Sequence, residues 1–194
     1  MPLILEGIVT TVAADGTPNI APMGPEVDEA ISTFVLKPFR SATTYENLKR
    51  TGEAVFHVTD DVELIARAAV EQLDPLPAMQ PASAVAAPIL SGACRWYALR
   101  VRALDDRQER TRIECDVVDQ GRLREFFGFN RAKHAVLEAA ILATRIHFLP
   151  ADEVVDEFAR LRPAVDKTGG PAELRAFEFL AEHVKNWYAV RAHR

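Results

Sequence analysis

Cysteine is nearly missing from this chain: of 194 residues only Cys94 and Cys115 carry a thiol. Two are too few for a disulfide framework, and no spacing of Cys or His resembles a zinc site. Long apolar runs are missing as well. The opening "MPLILEGIVTT" has no basic lead, is interrupted by Glu6, and is too short for a signal peptide or a membrane span, so a cytoplasmic protein is expected. Positive charge is in deficit, with 23 Lys and Arg against 28 Asp and Glu, a net charge of -5 and a pI of about 5.6. Nucleic-acid proteins normally show a basic face, so that class is excluded and any phosphate chemistry must be local. The glycines form no Walker loop and no GxGxxG, and neither GxSxG nor HExxH occurs.

What is present suits one well-filled domain, or a domain with a sizeable C-terminal extension. Hydrophobic residues are 48% and charged residues 26%. A chain of this length buries roughly 70% of its unfolded surface and needs no covalent staple. "LILEGIVTTVA" (3–13) is rich in β-branched residues, "DGTPN" (15–19) is turn chemistry, and "IAPM" starts a return strand, which makes a hairpin. "AISTFVLKP" (30–38) and "EAVFHV" (53–58) read as two more strands, with a short helix between them. Asp60 and Glu63 mark a helix over about 61–73, and 74–88, with four prolines, reads as a loop. Two longer strands follow, at 91–104 and 109–118. In the second, Ile113, Cys115 and Val117 alternate with Arg112, Glu114 and Asp116, so one face is buried and the other wet. Pairing of those two strands puts Cys94 and Cys115 on opposite faces, as buried reduced thiols.

From Asn130 the pattern is helical: 130–145, a short amphipathic helix at 152–161, and a long one at 171–192 with an apolar stripe through Leu174, Phe177, Leu180, Ala181, Val184, Trp187 and Tyr188. That stripe reads as a core or dimer face. Six strands in antiparallel hairpins with inserted and appended helices imply an α+β fold, mainly β, built as a small barrel or closed sheet with a helical annex. The expected division is a barrel domain over 1–128, with the proline-rich loop inside it, and a helical region over 129–194.

Two helix starts carry the chemistry. In "KPFRSATTYENLKR" (37–50), Thr43 and Glu46 fit a capping box, while Lys37 and Arg40 crowd the positive end of the helix dipole beside Ser41, Thr43 and Thr44. In "FNRAKHAVLEAA", Asn130 is a good N-cap, but Arg131, Lys133 and His134 load the first turn with cations. Each start is either an anion site or a polar cap whose cations lie in water. An anion reverses the unfavourable sign at both. In "NIAPMG" (19–24), Pro22 lacks an N–H and Gly24 a side chain. Pairing is expected to stop there, either as a plain strand exit or to leave backbone groups facing a flat ligand. The histidines His57, His134, His147, His183 and His193 are scattered and read as core or surface residues, with His134 a candidate contact for a ligand at the second start.

In this order, "LEGIVTTVAADGTPNIAPMG", "LKPFRSATTYENLKRTGEAVFHVTDDVELIARAA" and "FGFNRAKHAVLEAAILATR" resemble an uncharacterised domain family within the flavin-reductase-like, FMN-binding split β-barrels. The resemblance spans nearly the whole chain and is weakest across the proline-rich segment. It implies a homodimer with FMN near the subunit interface. It places the phosphate at Arg40, Ser41, Thr43, Thr44 and Asn47 and the isoalloxazine ring at Pro22, Met23 and Gly24, with Asn130, Arg131 and Lys133 closing the site from the same or the other subunit. The activity it implies is that of a flavin reductase-like oxidoreductase using NAD(P)H. The alternatives are a non-catalytic flavin or deazaflavin carrier and a structural dimer that binds anions adventitiously. No side chain stands out as a general acid or base.

Overall fold

In the computed structural model, residues 3–192 are described, and they divide into two compact units. The first takes the chain up to Thr59 and again over Leu76–Phe126; the second takes Asp60–Pro75 and the chain from Phe127 onward. The chain thus leaves the sheet for one helix, returns, and leaves again.

The first unit holds strands β1 (Leu3–Ile4), β2 (Gly7–Val12), β3 (Pro18–Met23), β4 (Glu26–Val27), β5 (Thr33–Leu36), β6 (Glu53–Val58), β7 (Met79–Gln80), β8 (Ile89–Leu90), β9 (Arg95–Asp105) and β10 (Arg112–Arg122). Helix α1 (Thr43–Thr51) lies between β5 and β6. Eight strands form one antiparallel sheet in the order β1-β4-β5-β10-β9-β6-β2-β3. Its two ends, β1 and β3, do not pair with each other among the described residues, so the sheet is a half-barrel and not closed.

One face of the sheet carries Val9, Phe34, Leu36, Ala54, Phe56, Tyr97, Leu99, Ile113 and Cys115, and α1 adds Tyr45 and Leu48 to the same core. Ring centroids of Phe34 lie 5.1 Å from Phe56 and 5.5 Å from Tyr97. Full burial of such side chains is worth roughly 1.5–3 kcal/mol each. Cys115 pairs with Val101, as the alternation in 112–117 requires, and both cysteines are free and buried. Burial and the nearby Asp116 push the Cys115 thiol up to about 12, which leaves it inert.

The proline-rich loop is more than a linker. Its residues 82–90 strap the other face, where Val85, Ala87 and Ile89 pack on Val55 and Ala98. Thr10 Oγ1 donates to Pro88 O at 2.6 Å, Ala86 N–H to Glu53 Oε2 at 2.9 Å, and Leu90 N–H to His57 Nε2 at 3.0 Å.

The second unit consists of α2 (Val62–Ala69), α3 (Arg131–Ala143), α4 (Ala151–Thr168) and α5 (Pro171–Ala192). Val62, Ile65 and Ala66 of α2, the alanine-rich face of α3, Val154, Phe158 and Val165 of α4, and Phe177, Leu180 and Val184 of α5 are buried. Helix α2, placed with 1–128 by the sequence, belongs to this unit, where Arg67 stacks 4.9 Å over Phe179 and Glu63 pairs with Arg175 at 2.9 Å. Its N-cap is Asp61, which accepts from Leu64 N–H at 3.0 Å, and the helix ends at Ala69, before the anticipated Leu73.

Candidate functional site at the start of the first helix

The start of α1 is set by tertiary contacts and not by the anticipated capping box. Ala42 is the N-cap, with no side-chain cap, and both Tyr45 N–H at 2.9 Å and Glu46 N–H at 3.3 Å close on Ala42 O. The helix begins one residue early because its first turn faces inward. Thr44 meets Asn19 of β3, and Tyr45 donates its hydroxyl to Asp106 at 2.8 Å. The other end follows ordinary rules, with Gly52 at φ 69° accepting the left-handed cap position.

Thr43 is therefore the first helical residue, exposed and free of capping duty. The N–H groups of Thr43 and Thr44 have no acceptor among the described residues. Ser41 and Arg40 are exposed beside them, and neither side chain makes a hydrogen bond or ion pair among the described residues. The Arg40 backbone is pinned, its N–H donating to Glu109 O at 2.9 Å. Lys37 does not contribute: its ammonium is taken by Glu26, which also pairs with Arg112 at 3.5 Å. Lys49 bonds Asp106 at 2.8 Å, and the Lys49 and Tyr45 bonds, with a smaller contribution from Arg40, hold the Asp106 carboxyl below its usual range. Arg40 thus differs from Lys37 and Lys49 in forming no ion pair among the described residues, although its charge is felt by the Asp106 carboxyl.

Thr44 and Asn47 are buried, 3% and 4% exposed, and belong to a polar cluster with Thr11 and Asn19. Asn19 and Thr11 are the members of this site that sequence reasoning missed, since only the fold brings them to α1.

At β3 the pairing does not stop at Pro22 but runs to Met23, opposite Gly7. The Ala13 N–H bonds Thr17 O at 2.9 Å, so the pairs Thr11–Asn19, Val9–Ala21 and Gly7–Met23 carry the ladder bonds. Pro18, Ile20 and Pro22 then turn their backbone groups away from β2, which is why proline is tolerated twice on this edge strand. The Ile20 N–H and the carbonyls of Pro18, Ile20 and Pro22 are left without a strand partner. Met23 packs on the core, and a Cβ at Gly24 would come within 2.6–2.8 Å of side-chain atoms of Glu6 and Ile4, which would have to shift.

The second basic start is occupied from within. Asn130 is the N-cap as anticipated, accepting from Lys133 N–H at 3.0 Å, and its amide donates to Thr168 O at 3.0 Å. Thr168 Oγ1 takes the Ala132 N–H at 3.0 Å. The Lys133 ammonium bonds Glu173 Oε1 at 2.7 Å and Asp60 O at 2.8 Å. Burial pushes the Glu173 carboxyl up, but Lys133 and the Gly170 N–H outweigh this and hold it below its usual range. Arg131 remains exposed. His134 is exposed, with its ring stacked on Phe129 at 6.1 Å, and His57 is a core residue. His147 packs against Trp187 at 5.4 Å, His183 is half-buried, and His193 lies outside the described residues.

Among the described residues no group of three or more His, Cys, Asp or Glu could hold a metal ion, and no helix is long and apolar enough to cross a membrane.

Two family models match the chain: the N-terminal domain of "Protein of unknown function (DUF447)" over residues 5–124, and a further part of that protein over 130–182. No curated protein matches it. Among solved structures, an FMN-bound protein of the same family from Methanosarcina mazei superposes with a TM-score of 0.81 at 23% identity, covering 94% of this chain and 96% of that one. The styrene monooxygenase flavin reductase of Pseudomonas putida S12 gives 0.52 at 15% identity, over 61% of this chain and 79% of that one. An NADH:FAD oxidoreductase of Streptomyces globisporus gives 0.51 at 16% identity, over 63% and 71%. The fold is the flavin-reductase-like α+β half-barrel with appended helices.

Proposed function

Because the chain belongs to the DUF447 family, we propose that it is an FMN-binding flavoprotein, a flavin reductase-like oxidoreductase that works with a reduced nicotinamide. The observation that carries this reading is the start of α1. There an exposed arginine that forms no ion pair, two exposed hydroxyls and two unbonded N–H groups converge in 40–44. A phosphate monoester asks for this set of donors: charge from a guanidinium, directional bonds from hydroxyls and N–H groups, and the positive end of a helix dipole.

The residues fit the cofactor in a second respect. A flavin also needs a flat polar edge to be read, and the outward backbone groups of β3 at Ile20 and Pro22, ending at the side-chain-free Gly24, supply donors and acceptors in a line. In this reading Arg40, Ser41, Thr43 and Thr44 hold the phosphate, Asn47 braces Thr11 beneath them, and Pro22, Met23 and Gly24 flank the ring. When bound, FMN supplies the two-electron redox chemistry, and the chain supplies binding, orientation and charge. We assign Asn130 and Lys133 to the architecture of the helical unit, since their donors are already spent. Arg131 stays available to an anion.

The active species in this proposal is a cytoplasmic homodimer. In the second unit Phe127 and Phe129 are 70% and 97% exposed, apolar surface that a second copy would cover.

Anaerobic reduction tests the activity. With FMN bound, NADH or NADPH should bleach the flavin absorbance within turnover times. Tight FMN binding with no bleaching by either nicotinamide would make the chain a flavin carrier instead.

A further inference from the structure

One basic feature of the sheet lies apart from both helix starts. In the ladder register Arg95 of β9 stands between Val58 of β6 and Arg122 of β10. Side chains alternate along a strand, so Arg95 shares its face with Tyr97 and Leu99, the same core on which Val58 packs. One step beyond the pair Ile8–His57, this row continues through Gly7 to its partner Met23. Two arginines therefore face each other across adjacent strands at one end of the core face, where like charges repel. Arg122 pairs with Glu125, whereas the exposed Arg95 guanidinium takes no hydrogen bond or ion pair among the described residues. The other arginines within β9 and β10 are committed: Arg100 to Glu53, Arg102 to Glu114 and Asp116, and Arg112 to Glu26 and Glu114. Two guanidiniums against one carboxylate leave a positive charge that an anion would take.

We propose that Arg95 and Arg122 form a second anion site, which takes the pyrophosphate of the reduced nicotinamide nucleotide. This rests on the flavin reductase reading, in which the FMN ring lies at the Pro22–Gly24 end of β3. Met23 is three strand spacings from Arg95, roughly 14 Å along the row. That separation favours a dinucleotide over a lone phosphate, because the nicotinamide must reach the flavin while the pyrophosphate stays with the arginines. The planar fork of a guanidinium bonds two phosphate oxygens at once, and the anion also removes the repulsion between the facing cations.

Calorimetric titration of the full, FMN-loaded chain with NAD+ and NADP+, oxidised forms that bind without reducing the flavin, tests the site, with inorganic pyrophosphate as competitor. The wild type should bind at least one of the two, and pyrophosphate should displace it. Arg95→Met should weaken that nucleotide and pyrophosphate about tenfold, and Arg95→Lys, which keeps the charge without the fork, should weaken them less. FMN affinity should be unchanged in both variants, which also shows that they are folded. Equal nucleotide affinity in the wild type and Arg95→Met overturns the site. So does an FMN-loaded wild type that binds neither nucleotide, with the flavin reading left intact. Binding of pyrophosphate alone makes the pair a plain anion site and overturns the dinucleotide assignment. Arg95-dependent nucleotide binding by a chain that takes up no FMN would overturn the flavin reading and leave the second anion site standing.

Discussion

Leu90 donates its backbone N–H to Nε2 of the buried His57 at 3.0 Å, while Nδ1 of the same ring, 3.1 Å from Ile8 O, faces the neighbouring strand. One imidazole therefore ties the strap to the sheet, as the neutral tautomer with its proton on Nδ1. Burial lowers the His57 pKa from 6.5 to about 4, against the smaller opposing effect of the Ile8 bond. The folded form thus binds a proton less readily than the unfolded chain. Its contribution is complete above pH 6.5 and is lost as pH falls from there towards 4.

Across that window the histidine should remove roughly 3 kcal/mol of stability. Urea denaturation at pH 7 and at pH 4.5 measures it. His57→Leu should be less stable at pH 7, because Leu90 N–H and Ile8 C=O lose their partner, and should show a flatter pH dependence. An unchanged pH slope in the variant would assign the loss to other groups.

Arg40→Ala should weaken FMN binding roughly tenfold to a hundredfold, the size of a lost charge-assisted hydrogen bond, with riboflavin binding unaffected. Thr43→Val should weaken FMN binding too, yet change stability by no more than about 0.5 kcal/mol, because Thr43 is not the N-cap. A loss of about 1 kcal/mol or more would restore the capping role that the sequence suggested.

Lys133 and Glu173, with side chains 19% and 11% exposed, form the best-buried ion pair among the described residues of the second unit. Lys133→Met should cost roughly 3 kcal/mol by stranding the carboxylate, and adding Glu173→Leu should recover part of that loss. The preference for FMN over riboflavin should be the same in both variants and in the wild type. If Lys133→Met alone removes that preference, Lys133 is a phosphate ligand.

Where local chemistry decides, the sequence was a good guide. β6 at Glu53–Val58 and α5 at Pro171–Ala192 match their predicted bounds, the first because an apolar run is closed off by Gly52 and Asp60, the second because Pro171 opens an unbroken helical period. The cap at Asn130 was legible for the same reason. Two-residue strands such as β1 and β4 have no period to read. The strap escaped notice because backbone groups hold much of it, and four prolines disguise its contact with the sheet. Helix α4 continues through Pro163 to Thr168, where the predicted helix stopped at 161. Those two extra turns bring Thr168 to the start of α3, 36 residues away, where its hydroxyl accepts the Ala132 N–H. The α1 site divides in the same way. Arg40, Ser41 and Thr43 were visible as a cluster in sequence, whereas the bonds of Asn19 to Thr44 and of Asn47 to Thr11 depend on a packing that no local pattern encodes.

The measurement that bears most directly on this account is titration of the purified, flavin-stripped chain with FMN, followed by calorimetry and by the change in flavin fluorescence. The account predicts saturable binding of about one FMN per chain, tighter than riboflavin and competed by inorganic phosphate. Equal affinity for FMN and riboflavin, or no saturable binding of either, would contradict it.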